Sequence, residues 1–212
     1  MTLLRASLYL RYLTSLENEG RQTISSKELA DEFSVSAALV RKDLGLFGAF
    51  GKAGIGYDVK GLKDSLLTTL GLKRAWKAAI VGAGRLGLAL AGHKGLLESR
   101  FKIAAIFDKY PERTAAKTDS SLEVLPVDDL PRVVRERGIE LGIIAVPGAS
   151  AQEAAETAVK AGIRAILNFA PTHINVPQGV FVRSVDITIY LENLAYYVNE
   201  AYHPKSDADG RG

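Results

Sequence analysis

At 212 residues and 47% hydrophobic content, the chain can bury one large core or two small ones. It has no cysteine, which excludes disulfides, iron–sulfur clusters and thiol redox chemistry; without an apolar run of about 18 residues or a signal-peptide pattern, a soluble cytoplasmic protein is expected. The net charge of +3 sits entirely in the first third: residues 1–74 hold 11 Lys/Arg against 8 Asp/Glu, and the remainder holds 16 of each, so a nucleic-acid-binding module is expected at the N-terminus.

Leu3–Leu4, Leu8, Tyr9 and Tyr12–Leu13 recur at helical spacing, with Gly20 as a stop. Ser26 reads as the N-cap of a short helix, Lys27–Phe33, and Ser36 as the cap of a second, Ala37 to about Phe47. Two short helices joined by about three residues predict a helix-turn-helix. Gly48, Gly51, Gly54 and Gly56 then fall within nine residues, which breaks helix and permits a tight hairpin, or wing. Leu62, Leu66, Leu67 and Leu70 mark a further helix, closed by Gly71.

From Trp76 the pattern turns to alternating strands and helices. Strands are expected at Ala78–Val81, Ile103–Phe107, Leu141–Val146, Ala165–Phe169 and Val180–Val185, with helices around Leu86–Ala91, Leu130–Arg137 and Ala151–Ala161. That alternation predicts a parallel sheet covered on both faces, hence an α/β protein: a winged helix-turn-helix followed by a Rossmann-like domain. Boundaries follow at 1–74, 75–187, a terminal helix over 188–202 and a disordered tail over 203–212.

Gly82-Ala83-Gly84-Arg85-Leu86-Gly87 follows a strand and opens a helix, the context that a dinucleotide fingerprint requires. Gly82 permits the sharp turn, Gly84 lets backbone approach a pyrophosphate, and Gly87 lets the helix pack on the strand. Asp108 lies 21 residues beyond Gly87, where its carboxylate can accept from a ribose hydroxyl and repel a 2′-phosphate. NAD(H) is therefore the expected ligand, although Lys109 beside the acid opposes that repulsion. A dehydrogenase also needs an acid–base group and a substrate domain, yet only one helix and a tail follow residue 187. His93, His173 and His203 have no triad or metal-site spacing, so no catalytic or metal site is expected and the nucleotide reads as a sensed ligand.

The second helix of a helix-turn-helix presents its N-terminal part to the major groove. Here that part is Ser36, Ala37 and Ala38, then Arg41-Lys42, which can reach guanine edges or phosphates; Lys52 near the wing tip suits a minor-groove or phosphate contact. Taken alone, Arg41-Lys42 could equally be a solvated helix face.

Both halves resemble the Rex redox-sensing transcriptional repressors, from about Leu4 to Asn199. The matching stretches are Val40-Arg41-Lys42-Asp43-Leu44, Phe47-Gly48 with Gly51, Gly54-Ile55-Gly56-Tyr57, Leu70-Gly71-Leu72, Val81 to Gly87, Phe107-Asp108, Val146-Pro147, Ile166 to Pro171, and Val185-Asp186. The resemblance implies a homodimer that exchanges its C-terminal helix, binds operator DNA when NADH/NAD+ is low, and is released by NADH; an inverted repeat is the expected operator. It places Arg41 and Lys42 on DNA, where Ser36, Ala38, Lys52 and Tyr57 are also expected, and Gly82, Ala83, Gly84, Arg85, Leu86 and Gly87 on the pyrophosphate. Asp108 falls on the adenosine ribose, and Val146, Pro147, Asn168, Phe169, Ala170 and Pro171 line the cofactor cleft. It further implies a switch in which Asp186 leaves Arg11 of the partner for a donor at position 93. His93, which unlike a tyrosine can carry a positive charge, stands where a tyrosine is expected, which would link the switch to protons. Ala53, Tyr110 and Ile187 also depart from the family pattern. Two other readings compete: a repressor of the same architecture sensing CoA or an acyl-CoA, and a small NAD-dependent dehydrogenase with an appended helical module.

Overall fold

The computed structural model describes residues 2–48, 51–52, 56–93, 95, 100–113 and 122–202. The chain divides into two compact units, Met1–Ala75 and Trp76–Gly212.

The first unit packs α1 (Thr2–Asn18), α2 (Ser26–Glu32), α3 (Ala37–Gly45) and α4 (Val59–Thr69) with a small antiparallel sheet of β1 (Thr23–Ile24), β2 (Gly51–Lys52) and β3 (Gly56–Asp58), in the order β1-β3-β2. Its core gathers Ala6, Tyr9, Leu13 and Leu16 of α1 with Leu29, Val40, Leu44, Leu62 and Leu66. Ser25, not Ser26, caps α2. The Ser25 hydroxyl accepts from the Glu28 N–H at 3.0 Å while the Ser25 N–H donates to the Glu28 carboxylate at 2.8 Å, a reciprocal box that Ser26 cannot close because its own third residue is Leu29. Ser36 caps α3 as expected, accepting from Leu39 N–H at 3.2 Å. α3 stops at Gly45, two residues short of expectation. β2 and β3 form the wing, with Lys52 opposite Gly56; the wing tip at residues 53–55, including Ala53, lies outside the described residues. β1 adds a third strand that two residues, Thr23 and Ile24, could not announce by pattern.

The second unit is a six-stranded parallel sheet. Its strands are β4 (Trp76–Val81), β5 (Phe101–Asp108), β6 (Val124–Pro126), β7 (Leu141–Ile144), β8 (Ala165–Asn168) and β9 (Phe181–Ser184), in the order β6-β5-β4-β7-β8-β9. Numbered within the unit, this is 3-2-1-4-5-6, the dinucleotide-binding order, with its reversal between β4 and β7. One face carries Ala79, Val81, Ala105 and Phe107 against α6 (Leu130–Arg137) and α7 (Gly148–Lys160). The other carries Ala78, Ile80, Ile106 and Ile143, with Ala91 of α5 (Arg85–Ala91). α6 ends where Gly138 turns left-handed at φ 61°, as its sequence position suggested. β7 stops at Ile144 and β8 at Asn168, so Val146-Pro147 and Phe169 are loop rather than strand. β6 went unseen because only three residues, Val124 to Pro126, pair with β5. A final helix, α8 (Ile187–Tyr202), starts one residue before the expected 188; the tail over 203–212, with His203, lies outside the described residues. Among the described residues, no helix is long and apolar enough to cross a membrane.

Candidate functional site

The turn after β4 uses its three glycines for three different reasons. Gly82 has φ 108°, and a Cβ there would sit 2.6 Å from the Ala145 carbonyl oxygen of the neighbouring strand end. At Gly87 a Cβ would lie 1.9 Å from the Gly82 carbonyl oxygen, so any side chain would push α5 off the turn. A Cβ built at Gly84 would meet nothing within 4 Å; this glycine faces open space, leaving the backbone accessible to a ligand. Gly84 is also the N-cap of α5 and supplies no side chain, so the first amides of the helix gain no side-chain cap from it.

Asp108 ends β5 beside this turn. Its Oδ2 accepts from the Ala83 N–H at 2.8 Å and its Oδ1 from the Tyr110 N–H at 2.9 Å. A carboxylate offers about four acceptor positions, so two remain for ligand hydroxyls. A cavity of about 610 Å³ opens at the carboxyl ends of the strands, flanking the order reversal, and Gly82, Asp108, Val146 and Pro147 all line it. Its size suits a nucleoside-sized group. Sequence reasoning missed the other walls: Pro126, Val127 and Asp128 after β6, and Ser150, Glu153, Ala154 and Thr157 on one face of α7. The second set was findable, because the helix after the fourth strand of this order must border the crevice and those positions repeat at helical spacing. Three carboxylates (Asp108, Asp128, Glu153) face the cavity against one lysine, Lys109. Tyr110, which also lines it, carries the Arg113 guanidinium over its ring at 4.3 Å.

The loop after β8 is organised by Asn168. This fully buried side chain donates to the carbonyls of Ala170 (3.3 Å) and Thr172 (2.9 Å) and to Ser184 Oγ (3.3 Å), and accepts from Ala170 N–H at 3.0 Å. Asn168 therefore shapes the loop from inside instead of facing the cleft. Ala170 is likewise buried, while Phe169 is half-buried and Pro171 exposed. Pro171 and Thr172 lie about a van der Waals contact from where a Gly148 Cβ would be, which sets this loop beside the Val146-Pro147 turn. Arg85 and Leu86 are exposed at the start of α5.

In the first unit, α3 presents Ser36, Ala38, Arg41 and Lys42 to solvent. The same helix turns Asp43 inward, 1% exposed, where it accepts from Arg5 Nε at 2.5 Å, Arg5 Nη2 at 2.8 Å and Tyr9 Oη at 3.2 Å. The Asp43 hydrogen bonds hold the Arg5 guanidinium above its ordinary pKa, and burial with the nearby carboxylate pushes the Tyr9 phenol up. α1 thus grips the exposed helix by its buried side. Arg41 Nη1 donates to Ser26 Oγ at 3.1 Å. Tyr57 is half-buried in β3, packed on the core, and Lys52 lies in β2.

Arg11 is exposed on α1, His93 is exposed after α5, and Asp186 is exposed, its Oδ1 accepting from Thr188 N–H at 2.9 Å at the start of α8. Every residue of α8 is exposed, including Ile187, Ile189, Tyr190, Leu191, Leu194 and Tyr197 at 54–68%.

Comparison with known proteins matches both units. A family described as the CoA binding domain matches residues 73–172, and one described as the N-terminus of putative DNA-binding proteins matches residues 1–45. The redox-sensing transcriptional repressor Rex of Carboxydothermus hydrogenoformans is 49% identical over 197 residues, covering 93% of this chain and 94% of that one. The Rex of Streptomyces coelicolor is 41% identical over 209 residues, 99% of this chain and 81% of its own. Among solved structures, RSP, a Rex-family repressor, in complex with β-NAD+ and operator DNA superposes with a TM-score of 0.87 at 36% identity, covering 94% of this chain and 92% of that one. The RSP complex with β-NADH gives 0.83 at 34%, covering 94% and 93%.

Proposed function

The chain belongs to the Rex family of redox-sensing transcriptional repressors, and we propose that it binds operator DNA when NADH/NAD+ is low and leaves it when NADH binds. It is a DNA-binding repressor that senses NAD(H), and not an enzyme. The observation that carries the reading is the pairing, in one chain, of a capped helix-turn-helix with a glycine turn hydrogen-bonded to its distal acid.

In this reading the turn from Gly82 to Gly87 receives the pyrophosphate, with Arg85 and Leu86 at the helix start supplying backbone amides. Asp108 takes ribose hydroxyls through its two open acceptor positions. The adenine enters the cavity between Val127, Val146 and Ala154, and the nicotinamide end points toward Pro147 and the Phe169–Pro171 loop. The residues fit such a ligand: the turn leaves open space at Gly84, and the cavity is large enough for adenosine. α3 enters the major groove with Ser36, Ala38, Arg41 and Lys42, and the wing with Lys52 and Tyr57 follows the neighbouring backbone.

The protein acts in the cytoplasm as a homodimer on an inverted repeat, and the exposed apolar α8 packs on a second copy. Arg11, His93 and Asp186 meet across that dimer.

One observation favours a second reading: the CoA-binding family match over residues 73–172. Against CoA stand the three carboxylates around the cavity, since its 3′-phosphate would meet Asp108, Asp128 and Glu153 with one lysine to offset them. Fluorescence anisotropy of a labelled inverted-repeat duplex tests both readings. NADH should lower bound duplex, excess NAD+ should restore it, and CoA should leave it unchanged. Release by CoA but not by NADH would establish the second reading instead.

A further inference from the structure

Ser26 carries no cap, because Ser25 and Glu28 already close the box at the start of α2. Its hydroxyl instead accepts from Arg41 Nη1 at 3.1 Å, spanning from the first residue of α2 to the second turn of α3. Arg41 is exposed and Ser26 half-buried, so the contact ties a solvent-facing arginine to a fixed point on the preceding helix. Among the described residues, the side chain of its neighbour Lys42 makes no hydrogen bond or ion pair.

An arginine reads a guanine by presenting two N–H groups in one plane, and a free arginine must give up most of its rotamer freedom to do so. A single hydrogen bond at Nη1 fixes the direction of the fork while leaving Nη2, and the second hydrogen on Nη1, to donate. We infer that Ser26 is a positioning residue, which sets the Arg41 guanidinium for base readout and so contributes to operator discrimination without touching a base. The inference rests on the proposed DNA reading of Arg41. It distinguishes Arg41 from Lys42: the first is aimed from within the protein, whereas the second acts as a mobile point charge suited to phosphate.

The test compares the full-length protein with Ser26→Ala, Ser26→Thr, Arg41→Ala and the Ser26→Ala/Arg41→Ala double variant. The measured quantity is the ratio of affinity for operator to affinity for a scrambled duplex at fixed salt. Ser26→Ala should lower this ratio about threefold to tenfold, with affinity for the scrambled duplex and the melting temperature unchanged. Ser26→Thr, which keeps the hydroxyl, should restore it. In the Arg41→Ala background, Ser26→Ala should have no further effect. A ratio that is unchanged or raised in Ser26→Ala, or a Ser26→Ala loss that persists without Arg41, overturns the positioning role. If Arg41→Ala itself leaves the ratio unchanged, the DNA reading of Arg41 fails, an outcome distinct from failure of Ser26 alone.

Discussion

The Ala83 N–H donates to Asp108 Oδ2 at 2.8 Å, so the acid at the end of β5 holds the glycine turn at the end of β4. Asp108 therefore has two tasks, shaping the turn and receiving ribose hydroxyls. Asp108→Ala should weaken NADH binding by about 10- to 100-fold, since hydrogen bonds to a charged acceptor are worth about 1.5–3 kcal/mol. It should also narrow the preference for NADH over NADPH, because the carboxylate that repels a 2′-phosphate is gone. Titrating both nucleotides against Trp76 fluorescence checks this; an unchanged preference would move the selectivity to Asp128 and Glu153.

The Arg5–Asp43 pair predicts a stability effect localised to the DNA-binding unit. Asp43→Ala breaks a buried pair and strands the Tyr9 hydroxyl, and should cost about 3 kcal/mol of that unit's stability. Because Asp43 anchors α3 to α1, operator affinity should fall while NADH affinity of the isolated protein stays the same. Urea melts and nucleotide titrations measure the two halves; equal losses in both would contradict the division of labour.

The box at α2 gives a pH dependence. The Ser25 backbone N–H, then the Arg21 guanidinium and the Ser25 hydroxyl, hold the Glu28 carboxyl down at about 2, against an ordinary 4.5. A depressed carboxyl stabilises the fold fully above its unfolded pKa, and that contribution fades as pH falls from about 4.5 toward about 2. Glu28→Gln should therefore cost about 1 kcal/mol at pH 7, modest because the pair with Arg21 is exposed, and the gap to the native protein should shrink by pH 3. Denaturant midpoints at the two pH values decide it, a constant gap being the contrary result.

Much of this arrangement was legible in the sequence where one residue type answers one local constraint. Gly82 and Gly87 read correctly because backbone contact leaves no room for a side chain, and Gly138 because a helix end needs a left-handed residue. Other features were hidden for physical reasons. β1 and β6 are too short to show a period, and their strand character comes from pairing with β3 and β5. Ser25 and Ser26 are chemically identical as caps, and only the reciprocal bond from Glu28 selects between them. Asn168 has the chemistry of a cleft residue, but burial turns it inward to hold its own loop. Cavity walls such as Glu153 and Asp128 come from separate elements that only the strand order brings together.

α8 exposes Ile187, Ile189, Leu191, Leu194, Tyr196, Tyr197 and Val198 at 54–66%, more apolar surface than a monomer leaves on a terminal helix. These positions do not fall on one side, which calls for burial from two directions by a second copy. Truncation after Asp186 should yield monomers in sedimentation and abolish NADH-controlled release from DNA. A truncated protein that remains dimeric and responsive would place the interface elsewhere.

Sensing requires that the nucleotide and DNA sites, one in each unit, be energetically coupled. By linkage, the factor by which NADH weakens operator binding must equal the factor by which operator weakens NADH binding, typically about 5- to 150-fold. The most direct measurement is NADH affinity by titration calorimetry, with and without saturating inverted-repeat operator. NADH should bind more weakly to the operator complex, by the same factor seen in DNA release. Identical NADH affinity in the two titrations would contradict redox sensing by this chain.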